Sequence, residues 1–284
     1  MSDRTTSPAV GNGNQSALVC LARAYAGAIL FSFPILMTME MWSLGASVGG
    51  YRLALLTILA IPLIVGLSYY DGFEHTSSLR DDVIDAFVAY TVGFSASALL
   101  LFLFNVINPS MSADEIIGKV ALQAVPASIG AILVRAILNV GDQEDAEGMR
   151  QRSATYVGQL FLMIGGAIFL SMSVAPTEEM ILISFTMTVW QTVGLMVLSL
   201  ALMQGFIYAV EYTGHSNALS PDSPLWSVFL RYTVVGYAMV LLVSFYVLWT
   251  FGSLDGMGSV EQLEAVVVLS LPGAVGAGAS RLIL

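Results

Sequence analysis

The stretch YVGQLFLMIGGAIFLSMSV runs from Tyr156 to Val174 without a charged side chain. A helix needs about twenty such residues to cross a hydrocarbon core of about 30 Å. Only helices and closed barrels satisfy their backbone groups in lipid. Across the whole chain 57% of the residues are apolar and only 11% are charged. The sequence therefore predicts an all-α, polytopic membrane protein.

Eight apolar stretches reach the length of a membrane span. They lie near Leu18–Trp42, Leu53–Tyr70, Val83–Ile107, Ile116–Leu138, Tyr156–Val174, Ile181–Val210, Trp226–Phe251 and Leu263–Leu284. The sixth stretch is long for one span and carries Gln191 and Gln204, so a bend or a ninth element there stays open.

The second half of the chain repeats the first in order. Gly27–Ser32 (GAILFS) aligns with Gly166–Ser171 (GAIFLS) at an offset of 139 residues. Later matches begin at Tyr90 with Tyr232 and at Pro126 with Pro272, where the offset has grown to 142 and then 146 residues. Such order predicts a duplication. An even number of spans per repeat makes the repeats parallel, with a pseudo-two-fold axis along the membrane normal.

The repeats are predicted to occupy residues 17–140 and 156–284. Residues 1–16 are polar and rich in Gly, Ser and Asn, which predicts a disordered tail. Residues 141–155 carry four acidic side chains between Asp142 and Glu147 and are interpreted as a solvated acidic linker.

The basic residues are distributed unevenly between the two predicted faces. Only Arg52 and Lys119 fall on one face, whereas the other face carries the remaining eight. The positive-inside rule therefore predicts that both termini are cytoplasmic. The outer face then carries eight acids and two bases, a formal charge of minus six, which would concentrate cations.

Composition and motifs exclude several classes of function. Ten Lys and Arg against twenty Asp and Glu leave no basic footprint for nucleic acid. The single cysteine, Cys20, cannot form an intramolecular disulfide. No GxSxG, phosphate loop or zinc-type spacing occurs, so we expect no cofactor and no metal centre.

Two glutamates occupy equivalent positions near the outer ends of the first and fifth spans. Glu40 follows Thr38, and Glu179 follows Thr177, at the offset of the duplication. Carboxylates at membrane depth tend to face a cavity or a partner, so the two glutamates, together with Thr38 and Thr177, are a candidate ion pathway or proton-binding site. The alternative is that both glutamates lie among headgroups and only end their helices.

Two further pairs follow the same duplication. Arg135 and Arg281 close the last span of each repeat, as a cytoplasmic gate or as positive-inside anchors. The only histidines, His75 and His215, fall in the second loop of each repeat and are candidates for sensing pH, although loop histidines often have no function.

One string has the form of an enzyme motif. Asp81, Asp82 and Asp85 form a DDxxD pattern at the start of the third span, which can hold Mg²⁺ on a diphosphate. It resembles the first aspartate-rich motif of intramembrane prenyltransferases. The second half lacks a matching motif, and a helix N-terminus also favours acids through its dipole.

The segment LFSFPILMTMEMW, Leu30–Trp42, is similar to a bacterial family of integral membrane proteins of unknown function. The resemblance covers most of the chain from Ala17 onward. It implies a location in the bacterial inner membrane and supplies no catalytic residues.

Two functional hypotheses follow. The first is a channel or secondary transporter that passes a cation or protons between the two repeats. The second is a non-transporting scaffold or sensor that acts with a partner protein. Besides the lipid bilayer, the expected partners are a second copy of the chain or a small subunit; a prenyltransferase-like enzyme is the remaining alternative.

Overall fold

The computed structural model describes residues 11–71, 79–138, 155–212, 226 and 229–283. These residues form helices and no strand, which confirms the predicted all-α class. A π-helical turn, Phe229–Val234, directly precedes the helix Val235–Phe251. The helices of the described part are α1 (Gly11–Leu36), α2 (Met39–Ser47), α3 (Gly50–Asp71), α4 (Leu79–Leu103), α5 (Ala113–Leu138), α6 (Tyr156–Val174), α7 (Glu178–Thr186), α8 (Val189–Tyr212), α9 (Val235–Phe251) and α10 (Ser259–Ile283).

Eight candidate spans satisfy the length and composition of a membrane-crossing helix, which confirms the predicted number. All of the long helices contribute one span each, and the nine-residue helices α2 and α7 contribute none. The spans are Leu18–Leu36, Gly50–Tyr70, Arg80–Leu103, Ala113–Leu133, Tyr156–Val174, Val189–Phe206, Phe229–Phe251 and Ser259–Ser280.

The first helix begins earlier than the sequence analysis expects. Residues 11–16, assigned there to a disordered tail, belong to α1, while residues 1–10 lie outside the described part. Once a helix is nucleated, each added residue gains one backbone hydrogen bond, so an apolar span can extend into a polar segment. Of the predicted linker 141–155, only residue 155 is described.

The first predicted span, Leu18–Trp42, is wrong at its end. The chain stops being helical after Leu36 and starts α2 at Met39. Between them Thr38 has an extended backbone, and its hydroxyl donates a 2.6 Å hydrogen bond to the Ile35 carbonyl. The same carbonyl accepts the Thr38 backbone N–H at 3.3 Å, so both donors of Thr38 close the end of the helix. Hydropathy misses the break because both flanks are apolar.

The sixth predicted span, Ile181–Val210, is also divided. Helix α7 ends at Thr186, and α8 begins at Val189. The Gln191 side-chain oxygen accepts a 2.8 Å hydrogen bond from the backbone N–H of Thr188, which is one arm of a capping box. The additional element that the sequence analysis leaves open is thus the short helix α7.

The two halves of the chain share an order of long, short, long, long and long helices. The short helices begin alike: Thr177 has an extended backbone and donates a 2.8 Å hydrogen bond to Val174, as Thr38 does to Ile35. Three residues after each threonine, Met41 and Met180 are both buried. These similarities agree with the predicted duplication, which stays a prediction.

The last helix of each half lies against all the other helices of that half. Helix α5 packs against α1–α4, and α10 packs against α6–α9. Glycines allow backbones to approach in lipid. A β-carbon on Gly276 would overlap the Gly166 carbonyl, and one on Gly130 would overlap Phe31. The two halves therefore each form around one central helix.

The halves meet mainly through α6, which packs against α1, α3 and α5. The rings of Phe31 and Phe169 lie 4.7 Å apart, and Phe161 packs on Gly66. Helix α3 also contacts α9, whereas α8 makes no comparable contact with α1 or α4 in the described part. Among the described residues, the contacts that α3 makes with the second half are therefore not matched by equivalent contacts of α8 with the first half. The pseudo-two-fold axis stays a prediction.

Replacing Gly276 by alanine will destabilise the protein, because the added β-carbon meets the Gly166 carbonyl and forces α6 and α10 apart. Overpacking of this kind costs about 1–3 kcal/mol. Thermal unfolding in one detergent should therefore show a lower Tm.

The matched control is Gly194→Ala, since Gly194 has nothing within 4 Å of an added β-carbon. Helix propensity alone should make this variant more stable by about 0.5–1 kcal/mol. Equal losses of stability in the two variants would contradict the packing between α6 and α10.

Candidate functional site

One end of the bundle holds most of the carboxylates of the described residues, and we call it the acidic end. Here α1, α4, α6 and α9 end, and α3, α5, α8 and α10 begin. Its basic side chains are Arg52 and Lys119. Its acidic side chains are Glu40, Asp114, Glu115, Glu178, Glu179, Asp255, Glu261 and Glu264. Eight acids minus two bases leave a formal charge of minus six, which favours cations near this end.

Arg52, in the first turn of α3, is engaged in the second half of the chain. Its guanidinium donates two 2.8 Å hydrogen bonds to the Asp255 carboxylate and lies 5.2 Å from the Trp249 ring centre. Bidentate geometry makes this a strong form of ion pair. The hydrogen bonds from Arg52 hold the pKa of the Asp255 carboxyl below its ordinary value. The pair joins the two halves at the acidic end.

Lys119, on α5, is only 7% exposed. Its ammonium group donates to Glu115 at 2.7 Å and to the Val106 carbonyl at 3.4 Å. A buried charge needs such partners because desolvation is costly. Each basic side chain of the acidic end is therefore paired with one carboxylate. Neither of them neutralises the remaining carboxylates of this end.

The structure places Glu40 and Glu179 in the first turns of α2 and α7, where the helix dipole favours a carboxylate. Glu40 is half-buried, and Glu179 is exposed. Helix α2 packs on α5, whereas α7 packs on α10. No hydrogen bond or ion pair of the described residues joins the two glutamates, so the structure does not bring them together.

A crevice of about 900 Å³ opens at the acidic end of the first half. Helices α3, α4 and α5 form its walls, together with the end of α2. Ser112, Asp114 and Glu115 line its mouth, and Ile61 and Tyr90 lie on its walls. Asp114 is exposed and has no hydrogen bond or ion pair among the described residues. A free carboxylate thus stands beside a cavity between the spans.

Sequence reasoning misses this site. Asp114 lies in the first turn of α5, two residues after Ser112, whose hydroxyl accepts a 3.3 Å hydrogen bond from the Glu115 N–H. In sequence this segment has the pattern of an ordinary helix start. Only the packing of α2 and α3 beside α5 reveals the cavity.

The remaining predicted residues lie elsewhere. Asp81 and Asp82 start α4 at the opposite end, where Asp82 is 1% exposed, and Asp85 follows one turn later. Asp81, Asp82 and Asp85 each have an interaction partner. Within the described ranges, no group of three or more His, Cys, Asp or Glu is arranged to hold a metal ion.

Two predicted pairs have no described side chains. Arg135 and Arg281 lie in α5 and α10, close to the C-terminal ends of these helices. His75 and His215 lie outside the described residues. Their roles as gate, anchor or pH sensor stay predictions.

The chain matches the model of a known protein family. Residues 20–284 match the family described as "Putative integral membrane protein (DUF2391)". No curated protein and no solved structure matches the chain.

The Arg52–Asp255 pair should make stability depend on pH. Because the folded-state pKa of Asp255 is lowered, the pair stabilises the fold above the ordinary aspartate pKa of about 3.9. That contribution is lost as the pH falls through the folded-state pKa. Unfolding measured from about pH 7 to about pH 3 should show a steeper loss in the wild type than in Asp255→Asn.

Glu178→Gln is the control, because the Glu178 carboxylate is exposed and has no partner in the described part. Its pH dependence should follow the wild type. If Asp255→Asn and the wild type lose stability in parallel, the ion pair does not contribute.

Proposed function

This chain belongs to that family of integral membrane proteins, and we propose that it transports a cation taken up at the acidic end. The observation that carries the proposal is the crevice, with the free Asp114 carboxylate at its mouth and its walls between candidate spans. A carboxylate beside an intramembrane cavity is typical of an ion or substrate pathway.

The depth of the crevice supports a transport role. Its lining on α3 extends from Gly50, where the span begins, to Ile61. At about 1.5 Å per residue these eleven steps cover about 16 Å, roughly half of a hydrocarbon core. A ligand at the inner end would therefore be near the middle of the bilayer, where substrate sites of many transporters lie.

The charge arrangement supports a cation as the transported species. The acidic end attracts cations through its net charge, and its two basic groups are bound to Asp255 and Glu115. Asp114, at the mouth of the crevice, has no ion-pair partner among the described residues.

The orientation is part of the proposal. With both termini in the cytoplasm of a bacterium, the acidic end faces outward and the crevice takes up its cation from outside. The geometry favours an entrance within the first half over one between the halves, because aromatic rings pack across the described interface, with Phe31 against Phe169 and Phe161 against Gly66. Glu40 and Glu179 would then contribute to the surface charge around the entrance.

A scaffold or sensor that acts with a partner is the second candidate. The observation in its favour is the contact between the Phe31 and Phe169 rings of the two halves, combined with few charges inside the spans. For the prenyltransferase hypothesis, the burial of Asp82 is unfavourable to a Mg²⁺–diphosphate site.

Cation flux into liposomes tests the proposal. Protons, sodium, potassium and a quaternary ammonium ion are tested separately under an imposed gradient. We expect flux above that of empty liposomes for one of them, and Asp114→Asn should reduce it about threefold or more at subsaturating concentration, since a charged partner is lost. Glu178→Gln, an exposed carboxylate away from the crevice, should retain the flux.

No flux of any ion from folded protein would favour the scaffold or sensor. Equal losses of flux in Asp114→Asn and Glu178→Gln would show that the flux depends on the surface charge and not on the crevice.

The double variant Glu40→Gln/Glu179→Gln separates the two proposed entrances. If the crevice is the entrance, this variant should keep most of the flux, because neither glutamate lines the crevice. Complete loss of flux in the double variant, with Asp114→Asn active, would instead support a site formed by the two glutamates.

A further inference from the structure

We propose that the crevice binds an amphiphilic organic cation, with one ammonium group at Asp114 and an apolar chain or ring along its walls. The proposal rests on the function proposed above and names the substrate class. Its basis is the separation of charge and apolar surface within one cavity.

The mouth of the crevice offers one uncompensated negative charge. Glu115 is held by Lys119 at 2.7 Å, whereas Asp114 is exposed and has no partner among the described residues. A single carboxylate matches a single ammonium group. It does not provide the six or more oxygen ligands that a calcium ion requires.

The walls of the crevice are apolar. Leu53, Ile58, Ile61 and Ala121 line it together with the ring of Phe94. An inorganic cation gains nothing from such walls, since it would lose hydration without replacement. An alkyl or aryl group entering from water gains about fourfold in affinity per buried methylene.

The inner part of the crevice has its polar groups satisfied. The Tyr90 hydroxyl, on α4, donates a 2.9 Å hydrogen bond to the Thr57 carbonyl, on α3. The Tyr90 ring lies 4.9 Å from the Phe94 ring, so two aromatic side chains adjoin at this depth. The ligand must therefore point its charge outward and its apolar part inward.

The crevice is also accessible from the side. Ile58 is 60% exposed and Ile117 is 59% exposed, and both lie within candidate spans. At these depths exposed side chains face lipid tails. An amphiphilic cation dissolved in the outer leaflet would have its head at the depth of Asp114 and its chain at the depth of Ile58. A volume of about 900 Å³ is at the upper end for small-molecule sites, which are about 300–1,000 Å³.

Equilibrium binding to the protein in lipid nanodiscs tests the proposal, with binding to empty nanodiscs subtracted. The probes are decyltrimethylammonium, tetramethylammonium, decyl sulfate and decanol. We expect decyltrimethylammonium to bind more tightly than the other three, because only it combines a cationic head with a chain.

Two variants assign the binding to the crevice. Asp114→Asn should weaken decyltrimethylammonium about three- to tenfold and leave decanol unchanged, since only the charge pair is removed. Ala54→Trp, at an exposed position on the crevice lining, should reduce binding by filling the space. Glu178→Gln is the control and should bind like the wild type.

Several outcomes would overturn the proposal. These are equal binding of decyl sulfate, equal binding of tetramethylammonium, or full binding by both Asp114→Asn and Ala54→Trp. Nanodiscs of different lipid composition distinguish the two sources of the ligand. If phosphatidylethanolamine in the nanodisc competes with decyltrimethylammonium and phosphatidylglycerol does not, the ligand is an aminolipid. If neither lipid competes, the ligand is a free amine.

The binding experiment is independent of transport. Binding of the amphiphile without any flux would leave this inference standing and refute the transport proposal. Flux of protons or potassium without binding of the amphiphile would refute the inference and leave transport standing.

Discussion

Close backbone contact at small residues is the constraint on which the bundle depends. Between helices in lipid there is no hydrophobic driving force, so association needs close packing. Helix α2 rests on α5 where Gly45 meets Gly118, and a β-carbon on Gly118 would overlap the Gly45 carbonyl. Both glycines also line the crevice. The same contact that holds the short helix therefore places the start of α5, with Asp114, at the mouth of the cavity.

The charges of the acidic end are arranged around this packing. Arg52 joins α3 to Asp255 in the turn before α10, and Lys119 is buried against Glu115 beside the crevice. Because each base is tied to one acid, the surplus negative charge is carried by the remaining carboxylates. Asp114 is the one of these that lines the cavity. Packing and charge together place an unpaired carboxylate at the mouth of the crevice, where we propose that a cation binds.

Hydropathy was sufficient to predict eight spans, because the cost of an unsatisfied backbone in lipid allows few alternatives. It could not locate the breaks at Thr38 and Thr188, since a helix end depends on local hydrogen bonds that a sliding average does not detect. The duplication directed attention to Glu40 and Glu179, which were expected near the ends of spans and which the structure places in the first turns of α2 and α7. The alignment of the two halves gives Asp114 no matching acid, so the duplication does not point to it. The cavity beside Asp114 arises only from the packing of separate helices.

The most direct test of the account is the reactivity of Ile61→Cys, about halfway into the bilayer, in a Cys20→Ser background. A cationic and an anionic methanethiosulfonate reagent are compared from the acidic side, with Leu202→Cys on the exposed face of α8 as the control. We expect the cationic reagent to modify Ile61→Cys faster than the anionic one does, and Leu202→Cys to stay unmodified. An unreactive Ile61→Cys, or one that reacts equally with both reagents, would contradict a cation-selective crevice.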